Sequence, residues 1–302
     1  MPMKMKLLMT SVLSTSLFLV ACGGGSSDDG PATTNPSGTP TNNIQNPVVK
    51  VEAYTSTNLG SVAAESSILT YKMLGQRGQE VQATSLVFTP NTPPPVGGWP
   101  IVVWAHGTTG VADVCAPSKA ALADSTKDLI SKLLAAGYVV VAPDYEGLGT
   151  PGIHPFLNVK SEAFSITDAV VAARNYLSQR NLLTSKKWVT VGHSQGGHAA
   201  LGAAQYASRA QLEYKGTVAV APASNLGFIL IAGEQSVAKA TLDKKISMYA
   251  QLDTYTALVT AGIRNTQPTF DYPQVFTPQI SSIAQQAETI CSGPLGQAFG
   301  AG

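Results

Sequence analysis

The sequence predicts an α/β fold in which a mainly parallel sheet is flanked by helices and carries a helical cap. Apolar runs rich in β-branched residues alternate with helical patterns between Ile68 and Val220, which is how a parallel sheet covered on its faces reads in sequence. One of those runs, "WVTV", enters a Gly-x-Ser-x-Gly turn and leaves it as a helix of small residues, "QGGHAALGAAQYA". After Ala223 the alternation stops, and the spacing of Ile246, Tyr249, Leu252 and Leu258 is helical.

Taken in order, residues 68–74 and 81–89 read as a hairpin joined by the Gly-containing "GQRGQE". The strand Ile101–Ala105 follows. A helix is expected from about Ser125, with Ser125 and Asp128 spaced as a capping box and Gly137 as its stop. Next come a strand over 138–142, a helix over 165–179 with Ile166, Val170, Ala173 and Leu177 on one stripe, and a strand over 188–191. The helix from Gln195 and the strand 216–220 complete the alternation. Residues 224–302 contain no convincing strand and read as a cap, so the core is expected over 48–223.

The chain opens with Lys4 and Lys6, an apolar stretch from Leu7 to Ala21, and Cys22. Fifteen such residues, several of them Ser or Thr, are short for a bilayer span and read as an export signal over 1–21. "LVAC" resembles the lipobox of bacterial lipoproteins, which implies acylation of Cys22 and anchoring to the cell envelope without crossing the membrane. Gly23 in place of the Asp linked to inner-membrane retention favours the outer membrane. Residues 22–47 are mostly Gly, Ser, Thr, Pro, Asn and Asp and read as a flexible tether.

Without Lys4 and Lys6 the 19 basic residues fall to 17, against 18 acidic. That balance offers no basic stripe for a nucleic acid. Cys115 and Cys291 form an even pair in an exported chain, which reads as a disulfide, with two buried thiols as the other reading. Neither an internal repeat nor a metal-ligand cluster is visible.

The chemistry lies in the turn. Gly192, Ser194 and Gly196 sit where a strand meets a helix, the setting in which a strained elbow lifts a serine hydroxyl above a sheet. Such a serine needs a base, and the oxyanion formed by its attack needs fixed donors. "VVWAHGTTG" ends a strand in a Gly-rich turn, where His106 and Gly107 order the backbone. Thr108 N–H and Gln195 N–H are the expected donor pair, the latter helped by the helix dipole.

Together "VVWAHGTTG", "CAPS", "APDYEGLGTPGIHPFL", "DAVVAARNYL" and "VGHSQGGHAAL" resemble the secretory lipase family, lipase A type, of the α/β-hydrolase fold. The resemblance covers roughly residues 65–240. It implies hydrolysis of lipid or small carboxylic esters through a Ser, Asp, His triad, with no metal or other cofactor and with Ser194 as the nucleophile. It also implies that Cys115 pairs with a cysteine of the cap, which suits Cys291.

One departure is as specific as the match. In this fold the acid and the base follow the serine, yet the four histidines are His106, His154, His193 and His198. His198 is expected to pack, and His193 to flank the serine sideways. Asp144 is expected to tie down its own loop, and Asp243, Asp253 and Asp271 fall in the cap. His154 is the one candidate for a substitute base. The chain is therefore expected to lack the last strands of the fold together with both partners of Ser194, and to be nearly inactive as it stands. Two other readings stay open: a peptidase or acyltransferase of the same fold, and a non-catalytic envelope lipoprotein that uses the fold as a lipid-binding or interaction surface.

Overall fold

The computed structural model describes residues 38–301; the export segment, Cys22 and the start of the tether lie outside them. Seven strands form one sheet: β1 (Val48–Ala53), β2 (Ala63–Leu74), β3 (Glu80–Pro90), β4 (Trp99–Ala105), β5 (Val139–Pro143), β6 (Thr184–His193) and β7 (Glu213–Val220). Their order is β1-β2-β3-β5-β4-β6-β7. β5, β4, β6 and β7 pair in parallel, as the alternation predicts, whereas β1, β2, β3 and β5 pair antiparallel. The sheet is thus mixed: β2 and β3 are joined by the short turn at 75–79 and so run antiparallel, and β3 in turn pairs antiparallel with β5.

The central strands are legible because both their faces are covered. All five residues of β5 are buried, so "VVVAP" needs no polar alternation. On one face Leu69, Tyr71, Ile101, Val103 and Trp188 pack against α2 (Val159–Gln179) and α3 (Gln195–Gln205). On the other, Leu86, Phe88 and Val140 pack against Ile130 and Leu134 of α1 (Asp124–Ala135). β1 escaped the sequence reading because it is an exposed edge strand, and five of its six residues face solvent.

Three helical details differ from expectation. α1 begins at Asp124 after Ala123, with no side-chain cap, so the Ser125/Asp128 box does not form. α2 starts six residues earlier than the apolar stripe suggests, because Asn158 caps it by accepting the Ser161 N–H. That shift places Glu162 inside a helix. The end of the tether is also docked: Arg209 donates to the Pro40 carbonyl, and Asn42 donates to Asp168. Asp168 and Arg209 themselves form a bidentate pair at 2.7 and 2.8 Å that is almost wholly buried.

Past Val220 the described residues contain helices and no strand: α4 (Leu226–Lys239), α5 (Leu242–Ile263), α6 (Pro278–Ala284) and α7 (Ser292–Ala301). Their own core joins Leu258, Tyr272, Ala284, Leu295 and Phe299 to Val111 and Phe156 of the loops after β4 and β5. The cap is stapled there. Cys115 and Cys291 form a disulfide with Cα atoms 5.4 Å apart, and Ser292 N–H donates to the Thr109 carbonyl. The bond links residues 176 apart, a long loop to close in an unfolded chain. Reduction, or paired Cys115→Ser and Cys291→Ser replacement, is expected to lower unfolding stability by about 2–5 kcal/mol. Chemical denaturation with and without reductant measures this, and coincident curves would contradict it.

Candidate active site

The parallel strands β4, β5 and β6 end along one edge of the sheet, where ligands bind in open α/β folds. Ser194 follows β6 there and caps α3 with φ 58° and ψ −119°. Positive φ is disfavoured for a residue with a Cβ and persists only when its surroundings enforce it. Here they do. A methyl group on Gly192 would lie 2.0 Å from the Gly196 carbonyl oxygen, and one on Gly196 would lie 1.9 Å from that of Ala105. Ser194 N–H donates to Val220 and Ala223 N–H to the Ser194 carbonyl, so β7 and the loop after it hold the turn from the far side.

The loop after β4 lies against this elbow. A methyl on Gly107 would sit 3.3 Å from the His193 carbonyl and 3.8 Å from Ser194 Cβ. His106 is buried, and its ring nitrogens face the Gly107 carbonyl at 2.7 Å and the Asp144 carbonyl at 3.3 Å. Tyr145, itself at φ 74°, stacks on His106 at 4.4 Å and donates to its carbonyl. The turn is therefore held by the loop that follows β5. Neither Thr108 N–H nor Gln195 N–H has a hydrogen-bond partner among the described residues.

Asp144 does tie down its own loop. It is wholly buried and accepts from Thr84 Oγ1 at 2.6 Å and Ser118 N–H at 3.0 Å. Burial pushes its carboxyl up to about 6 despite those donors. Asp253, on α5, is likewise raised by burial to about 6.

His154 is not placed as a base. It is 1% exposed, and both ring nitrogens are engaged, Nδ1 with the Glu146 carbonyl at 2.7 Å and Nε2 with Gln195 Nε2 at 3.1 Å. Since the carbonyl must receive a proton, Nδ1 carries it and Nε2 accepts from the Gln195 amide. Burial lowers its pKa to about 4, which keeps the ring neutral. His193 is exposed beside the serine. His198 does more than pack: its Nδ1 lies 2.6 Å from Oε2 of Glu162.

Glu162 is what the sequence reading missed. Its side chain has no solvent exposure, and besides His198 it accepts from Gln195 Nε2 at 2.9 Å. Burial raises its carboxyl, and the bonds from His198 and Gln195 pull the other way. Asn158, an N-cap residue just ahead of "VKSEAF", would have placed Glu162 in the helix, but no sequence signal joins it to Gln195 and His198.

The secretory lipase family model matches residues 115–287. The chain belongs to the secretory lipase family. Among solved structures, this secretory lipase is similar to the rice cell wall degrading esterase LipA from Xanthomonas oryzae, at 22% identity and a TM-score of 0.64, over 83% of this chain and 69% of that one. A putative hydrolase from Legionella pneumophila gives 18% and 0.62 over 83% and 70%, and Candida antarctica lipase A gives 19% and 0.61 over 81% and 56%. At these identities the likeness speaks for the fold. No curated protein matches the chain by sequence.

The elbow's dependence on glycine is testable. Gly196→Ala is expected to cost more than about 4 kcal/mol or to prevent soluble folding, because backbone must move to admit the methyl. Gly293→Ala, with nothing within 4 Å of its added methyl, is expected to change stability by about 1 kcal/mol or less. Equal thermal midpoints for the two variants would contradict the steric account.

Proposed function

We propose that this secretory lipase hydrolyses carboxylic esters, of lipids or of small alcohols, through an acyl-enzyme on Ser194. The observation that carries the reading is the strained backbone of Ser194 between two glycines that leave no room for a side chain. Ser194 Oγ attacks the ester carbonyl carbon, its proton passes to a solvent water, and the carbonyl π pair moves to oxygen. Thr108 N–H and Gln195 N–H, both without other partners, receive that charge. Each such donor contributes about 3–4 kcal/mol to the transition state in comparable sites. Collapse breaks the ester C–O bond and expels the alkoxide, which takes a proton from water to leave as the alcohol; a second water then attacks the acyl-enzyme, the bond to Oγ breaks, and the acid leaves as Ser194 regains a proton.

The proton is the difficulty. His106 and His154 are occupied by backbone and amide partners, His198 faces Glu162, and His193 flanks the serine on an exposed face. No histidine in the 302 residues follows position 198. This polypeptide is therefore expected to turn over a short-chain aryl ester on the order of 10⁶ times more slowly than a complete triad does. It should nevertheless form a fluorophosphonate adduct on Ser194, slowly, and Ser194→Ala should form none. Peptide-mapping mass spectrometry of the adduct tests the nucleophile. An adduct on another residue, or none, would sink the reading; fast ester turnover that survives Ser194→Ala would do the same. Faster cleavage of an activated amide than of the matching ester would favour a peptidase.

Export and lipidation form the second part of the proposal: Cys22, following an apolar segment in "LVAC", takes the acyl chains that hold the protein at the outer membrane. Radiolabelled palmitate should enter the wild-type chain in a bacterial host and be absent from Cys22→Ala. Equal labelling of both would contradict it.

A further inference from the structure

Two residues in the first turn of α3, Gln195 and His198, converge on one carboxylate of α2, that of Glu162. Gln195 also reaches His154, whose other nitrogen is fixed to the Glu146 carbonyl. The result is one continuous chain of donors and acceptors, from the Glu146 carbonyl through His154, Gln195 and Glu162 to His198. Every direction in it is determined. His154 Nε2 and Glu162 Oε1 are both acceptors, so the Gln195 side chain must present its NH₂ to both, and flipping the amide would set three acceptors against one another. That orientation leaves Gln195 Oε1 buried without a partner. Gln195 is wholly buried and is the first residue of α3, directly after Ser194.

We propose that Glu162, His198 and the side chain of Gln195 are positioning residues that hold the Gln195 N–H as an oxyanion donor, a role that rests on Ser194 being the nucleophile. A fully buried carboxylate is costly unless paired, and apolar residues of similar volume fill such a space with less penalty. What apolar contacts do not supply is direction. Hydrogen bonds of 2.6, 2.9 and 3.1 Å fix the rotation of the first helical turn about its axis. A donor displaced by 1 Å costs about 10²-fold in rate. The strained turn sets where Ser194 stands, and the clamp sets where the neighbouring N–H points.

The test uses the full chain and an alkyl fluorophosphonate, following the rate of adduct formation against probe concentration. His198→Ala and Glu162→Gln are expected to lower the maximal rate by about 10- to 100-fold while leaving the half-saturating concentration within about threefold. His198→Asn, whose Nδ2 stands where the histidine Nδ1 donates, is expected to recover most of the loss. A purely structural role predicts that the rate tracks the folded fraction and that asparagine does not rescue; either result overturns the proposal. Amide hydrogen exchange at position 198, whose N–H donates to the Ser194 carbonyl across the first turn of α3, judges it by NMR without any reaction. After allowance for the intrinsic rate of the substituted residue, exchange there should rise about tenfold or more in His198→Ala with β4 amides unchanged, and unaltered exchange overturns the proposal. Failure of the wild type to label Ser194 at all, with the exchange result intact, would instead count against Ser194 as nucleophile.

Discussion

The site depends on backbone touching backbone. The first turn of α3 lies so close to the end of β4 that only hydrogen fits on Gly196 against the Ala105 carbonyl, and only hydrogen on Gly192 against Gly196 itself. This contact forces the chain to turn within a single residue, and Ser194 absorbs the turn as a positive φ. The same approach brings the loop after β4 to the serine, so strain at one residue and the nearness of the proposed oxyanion donors have one cause. The rest of the molecule serves to keep that contact closed. The parallel strands hold β4 and β6 in register, with Ala105 opposite Gly192, and the disulfide holds the cap against the loop from above.

Around this contact the protein buries an unusual amount of polarity. His106, Asp144, Glu146, His154, Glu162 and Gln195 are all nearly or wholly inaccessible, and each has its partners in a neighbouring strand, loop or helix. Such groups add little net stability, since desolvation offsets much of what their bonds return. They do fix orientation. An apolar core under the elbow would pack as tightly but would tolerate sliding of α3 along α2, and a donor that slides no longer meets the developing charge.

Much of this was legible in the sequence, for identifiable reasons. β4, β5 and β6 stand out because burial on both faces turns them into unbroken apolar runs, and the elbow stands out because sterics there demand glycine at 192 and 196. The pairing of Cys115 with Cys291 followed from their number and from export. β1 was hidden because an edge strand with solvent on most of its side chains has no apolar signature. The missing capping box at Ser125 reflects a helix start set by the preceding loop rather than by its side chains. Glu162 was invisible for a deeper reason. Its partners Gln195 and His198 stand 33 and 36 residues away, and only the packing of α2 on α3 makes it part of the site. His154 is hidden in the same way: its loop lies at the ligand-binding edge, but its ring points inward to Glu146 and Gln195.

The measurement that bears most directly on this account is a crystal structure of the chain after reaction with an alkyl fluorophosphonate. The account predicts phosphorus bonded to Ser194 Oγ and a phosphonyl oxygen about 2.7–3.1 Å from both the Thr108 and the Gln195 backbone nitrogens. A phosphonyl oxygen turned to solvent, with those two N–H groups still unpaired, would contradict it.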